Sequence, residues 1–157
     1  MIRRWPLPLL VAVLSGTGIL ASGCGESEKD KYIDDFKPLN GRLLKLGESI
    51  GSAPLETGSD GNARLARRFG QYATDLGDVS SDIASLDTPR ELEAESKALT
   101  RRIEVVVKDL RKISAAAKRG DQRAAAAATA ALTDDANDVN RAQNRLATAT
   151  GADVGPR

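Results

Sequence analysis

Residues 65–86 read "LARRFGQYATDLGDVSSDIASL", and their large apolar side chains recur at alternating spacings of four and three. Leu65, Phe69, Tyr72, Leu76, Val79, Ile83 and Leu86 therefore share one stripe of a helix, with Arg, Gln, Asp and Ser filling the other faces. An average repeat of about 3.5 residues belongs to helices packed nearly parallel, knobs into holes, whereas a strand would alternate every second residue. The segment is predicted to be a helix that needs apolar partners.

Those partners lie on both sides of it. Upstream, Tyr32, Phe36, Leu39, Leu43, Leu46 and Ile50 form a second stripe. Downstream, Leu92, Leu99, Ile103, Val106, Leu110 and Ile113 form a third. A fourth is thinner: Leu132, Val139 and Leu146 occur once per heptad, with Ala128, Ala142 and Ala149 between them. Its "RAAAAATAAL" run has very high helix propensity but little bulk to bury. Asp135 falls where this stripe expects a core residue. Either it marks a polar site within the bundle, or the helix rotates to turn Ala136 inward, or Thr133 and Asp134 cap a fresh helix after a break.

The boundaries are also written in residues. Gly51 to Asn62 ("GSAPLETGSDGN") reads as a long loop. Thr88, Pro89 and Glu91 suggest an N-cap, a first helical residue and a capping box for the third helix. Lys118 and Arg119 suit that helix's C-terminal dipole, Gly120 can adopt the left-handed stop, and Asp121 can cap the next helix. The same chemistry accounts for the "RGD" formed by Arg119, Gly120 and Asp121. Pro38 interrupts the first stripe and is expected to kink that helix, or to delay its regular start to about residue 39. Residues 32–150 are thus predicted to be an all-α, up-down-up-down four-helix bundle with coiled-coil-like heptad packing and both ends on one side. Residues 151–157 are expected to be a flexible tail.

Composition narrows the class further. Of 157 residues, 41% are hydrophobic but only 3% aromatic, which disfavours a β-sandwich. Residues 1–23 hold Arg3 and Arg4 and no acid, so removing two of 23 bases leaves 21 against 22 acids. A near-neutral, mixed-sign surface carries no footprint for nucleic acid. Arg67-Arg68 and Arg101-Arg102 read as solvated helix faces.

The first segment, "MIRRWPLPLLVAVLSGTGILASGC", has a basic start, a short apolar stretch and small residues Ala21, Ser22 and Gly23 before Cys24, the only cysteine. It resembles the signal of bacterial lipoprotein precursors, whose lipobox ends in a small residue before an invariant Cys. In that family the thiol receives diacylglycerol, and the signal is cut just before it. The resemblance implies a signal peptide over residues 1–23, lipid attachment at Cys24, and a polar tether over residues 24–31. Ala21 stands where the family most often has Leu. A transmembrane anchor through residues 5–23 is the alternative, weakened by Pro6, Pro8, Gly16 and Gly18. The mature domain resembles no particular family.

No catalytic residues are identified. The chain has no His, and Cys24 is committed to lipid, so the usual activated nucleophiles are missing. Haem and transition-metal sites in bundles draw on His, Met or Cys, so no cofactor and no metal are expected. The predicted function is a non-catalytic helical scaffold or protein-interaction module, lipid-anchored on the extracytoplasmic face of a bacterial cell membrane. The Ala-rich fourth helix is expected to seat a protein partner or a second copy of the chain. The alternative function is a small-molecule-binding or sensor-type bundle, because a thin fourth helix can leave a groove.

Overall fold

The computed structural model describes residues 27–53 and 59–151. Residues 1–23, expected to be a signal peptide, and Cys24 lie outside these residues, as does the expected tail except for Gly151, which is the left-handed C-cap of α4. Four helices follow in chain order: α1 (Glu28–Gly51), α2 (Ser59–Ala84), α3 (Glu93–Arg119) and α4 (Gln122–Thr150). Among the described residues, no helix is long and apolar enough to cross a membrane.

α1 begins earlier than the apolar stripe implies. Ser27 caps it, its Oγ accepting the Asp30 N–H at 3.1 Å, and Glu28 and Asp30 in the first turn complement the helix dipole. Glu28 to Lys31, expected in the tether, are helical. α1 also continues through Pro38. The ring removes one backbone hydrogen bond, but the stripe on either side stays packed, and that outweighs the lost bond.

The junctions correct two further expectations. Ser59 to Asn62 belong to α2, so the first connection is shorter than the Gly- and Ser-rich composition suggested. Thr88 does not cap α3. Its Oγ1 donates to the Leu86 carbonyl, and Pro89 starts a separate turn in which its carbonyl accepts the Leu92 and Glu93 N–H groups. The α3–α4 turn forms as expected. Gly120 is left-handed at φ +67°, its N–H donates to the Ala117 carbonyl, and the Asp121 N–H donates to that of Ala116. Asp121 Oδ1 then accepts the Ala124 N–H at 3.0 Å.

Cross-links between helices fix their directions. Arg42 pairs with Asp82 at 2.8 Å, and the Tyr72 hydroxyl donates to the Ser49 carbonyl at 3.2 Å, so α1 and α2 are antiparallel. The buried Ser114 Oγ donates to the Ala66 carbonyl at 2.7 Å across α2 and α3. Arg102 with Asp138 and Arg145 with Glu95 join α3 to α4 in opposite directions. Lys29 Nζ donates to the Ala149 carbonyl at 3.0 Å, which brings the start of α1 to the end of α4. We call this the proximal end.

The core runs the length of the α2–α3–α4 group. Leu99, Ile103, Leu110 and Leu146 are fully buried, as are Val79 and Ile83. Each such side chain contributes about 1.5–3 kcal/mol by leaving water. α1 adds Tyr32, Phe36 and Leu43 to this core, while Leu39, Leu46 and Ile50 are only partly covered. α1 approaches α2 along its length but comes close to α4 only over its proximal half, from Lys29 to Asn40.

Candidate groove and a buried carboxylate at the α3–α4 seam

Because α1 leans on α2 and away from α4, the space between α1 and α4 is open over its distal half. It forms a groove of about 720 Å³, within the range of about 300–1,000 Å³ typical of small-ligand sites. Leu43, Leu44, Gly47 and Ile50 make the α1 wall. Leu132, Ala136 and Val139 face it from α4, and Phe69, Leu76, Ile103 and Val106 form the floor. Glu48 is the only ionisable residue among the described ones lining it. A hydrogen bond closes the proximal end: Gln143 Nε2 donates to Asn40 Oδ1 at 2.9 Å, and both side chains are buried.

Thr129, Thr133, Asn137 and Asn140 run along the α4 rim. The two hydroxyls donate to Ala125 and Thr129 carbonyls of their own helix, so they present mainly methyl groups to the groove. On the α1 side, a Cβ built on Gly47 or Gly51 would meet nothing within 4 Å. Packing in the described structure therefore does not demand glycine there; the missing side chains widen the groove.

The structure also answers the question raised by Asp135. α4 is one continuous helix through Thr133 and Asp134, and Asp135 and Ala136 are both half-buried. Ala136 lines the groove, while Asp135 faces the other way, toward Asp109 of α3. Asp109 is almost wholly buried. Its Oδ1 accepts from Lys112 Nζ at 2.7 Å, and its Oδ2 is buried with no hydrogen-bond partner. A proton on Asp135 can bridge to that oxygen. This hydrogen bond to Asp109 is the largest cause that raises the Asp135 pKa above the ordinary carboxylate value; partial burial and the charges of Asp109 and Asp138 add to it, and Arg102 opposes. Lys112 is held protonated to higher pH by its bond to Asp109 and by the charge there. Asp138 in turn pairs with Arg102 and Arg141.

Asp109 went unnoticed in the sequence, although a signal was there. It lies three residues after Val106 and four before Ile113, a spacing that puts it on the buried face of α3. Elsewhere, the Tyr32 hydroxyl is buried without a hydrogen-bond partner, and that burial raises its pKa. Tyr32 stacks on Phe36 with ring centres 5.8 Å apart, as a core pair. Among the described residues, no group of three or more His, Cys, Asp or Glu is gathered as a metal site would be. No family model, no curated protein and no solved structure matches the chain.

Proposed function

We propose that the chain is a non-catalytic helical module of the bacterial cell envelope, lipid-anchored through Cys24 on the extracytoplasmic face, whose working surface is the α1–α4 groove. The observation that carries this reading is the groove itself. Leu44, Ile50 and Ala136 along its walls stay partly exposed, apolar surface that a closed bundle would cover with its own first helix. Supporting the anchor is the lipobox resemblance at Ala21 to Cys24. Only Gly25, Glu26 and Ser27 separate Cys24 from α1, a link of at most roughly 14 Å at about 3.5 Å per residue. The proximal end then stands at the bilayer and the groove opens away from it.

Two measurements test the two halves. Labelled palmitate should enter the wild-type chain in cells and not Cys24→Ser; equal labelling of both would leave residues 5–23 as a transmembrane anchor. An environment-sensitive apolar dye should bind the folded chain saturably at one site and lose that site in Ala136→Leu. Binding unchanged by Ala136→Leu would remove the groove as the working surface. A second reading, self-association, is favoured by the exposure of Ala126, Ala127 and Ala130 on α4. Concentration-dependent sedimentation would support it, and a constant monomer mass would exclude it.

A further inference from the structure

We infer that the α1–α4 groove accepts a single long acyl chain with an anionic head, the tail lying along the groove and the head at the distal tip. This inference rests on the groove being the working surface. The first support is the groove's cross-section. Leu76, Ile103 and Val106 line its floor and are only 3%, 0% and 5% exposed, so an occupant lies above them rather than among them. About 720 Å³ spread over roughly 15–20 Å gives a cross-section of roughly 35–50 Å², whereas a partner helix about 10–12 Å across needs roughly 80–110 Å² and cannot sit within it. A methylene chain can.

Length agrees with width. The lining runs from Leu43 to Ala53 on α1 and from Thr129 to Gln143 on α4. At about 1.5 Å per residue this is roughly 15–20 Å, the reach of an extended myristoyl or palmitoyl chain. The walls are aliphatic, and Phe69 is the one aromatic side chain among the described lining residues. A flat aromatic ligand would find no pair of stacking faces.

Charge decides which end holds the head. The buried hydrogen bond between Gln143 and Asn40 closes the proximal end. Glu48 stands exposed on the α1 rim and repels an acid held midway. Beyond the distal mouth lie Lys118, Arg119 and Arg123, all exposed. The α2 start joins the same tip, since a Cβ on Gly120 would lie 3.8 Å from Asn62 Nδ2. Lys118 and Arg119 are accounted for by the α3 dipole. Arg123 is not: it occupies the first turn of α4, where the dipole disfavours a cation and no acid accompanies it. The nearby Asp121 is engaged as the α4 cap. A carboxylate or phosphate arriving at the mouth meets Arg123 less than two helical turns from Thr129, the last lining residue on α4, with Lys118 and Arg119 across the α3–α4 turn from it.

The test uses the segment from Ser27 to Arg157, whose core residues all lie between Tyr32 and Leu146, after circular dichroism shows it helical. A dansyl-labelled fatty acid should bind at one saturable site. Palmitate should displace it about tenfold more tightly than the neutral monoglyceride of the same chain, and hexanoate should not displace it. Combined Lys118→Gln, Arg119→Gln and Arg123→Gln should remove the palmitate preference and leave the monoglyceride affinity unchanged. Gly47→Leu should abolish binding of all probes without lowering the thermal midpoint. Equal affinity for palmitate and monoglyceride, or indifference to the charge variant, overturns the anionic head while the groove stands. Tight binding of hexanoate overturns the long chain. Probe binding untouched by Gly47→Leu, or no binding at all, overturns the groove together with its occupant.

Discussion

Replacing Asp135 with Asn should stabilise the protein at neutral pH and do nothing at acid pH. Once pH has risen through the raised value and Asp135 is ionised, its carboxylate faces the unpartnered Oδ2 of Asp109. Two like charges then meet at the α3–α4 seam where one side is almost fully buried. The side-chain amide introduced by Asp135→Asn would donate an N–H to that oxygen at every pH. A hydrogen bond to a charged group contributes about 1.5–3 kcal/mol, and partial solvent exposure at position 135 reduces this to about 1 kcal/mol. For a domain of this size, that raises the thermal midpoint by about 3–5 °C. The pH dependence has a definite sign. Because the folded-state pKa of Asp135 is raised, its protonation favours the fold, and that stabilisation is fully present below the ordinary carboxylate value of 3.8. It is lost as pH rises through the raised value. Thermal melts of both proteins at pH 7 and pH 3.5 measure the difference. A gain of equal size at both pH values, or a lower midpoint for the variant at pH 7, would refute the shared proton.

Other outcomes follow from the plug and the turn. Asn40→Leu or Gln143→Leu alone should cost about 1–3 kcal/mol in urea unfolding, because each strands a buried amide, whereas the double variant should recover most of the loss. Additive losses in the double variant would mean that the two side chains are not coupled through this hydrogen bond. Gly120→Ala should cost about 1–2 kcal/mol, since φ is +67° and the added Cβ meets only ordinary contact, so the loss is one of backbone conformation. A neutral result in thermal unfolding would show that the turn relaxes.

The helices and their order were legible because a buried stripe imposes a local period. Leu65 to Leu86 and Leu99 to Ile113 repeat at spacings that only a helix can place on one face. The α3–α4 turn was legible for a similar reason: Gly120 and Asp121 act on backbone groups within a few residues. Thr88 and Pro38 misled because equally local rules were outweighed, the first by a separate turn at Pro89 and the second by packing of the stripe on both sides of the ring.

The sequence by itself determined the number of helices, their apolar faces and the α3–α4 turn, since these depend on neighbours three or four residues away. Tertiary structure alone decided where the bundle is open. Leu43, Leu46 and Ile50 carry the same spacing as fully buried residues of α2 and α3, and nothing in that spacing encodes the distance from α1 to α4. The distance is set by how α1 leans on α2 through Tyr72 and Arg42, and by the Asn40–Gln143 pair that holds only one end closed. Asp109 and Asp135, 26 residues apart in the chain, likewise become neighbours only when α4 folds back across α3.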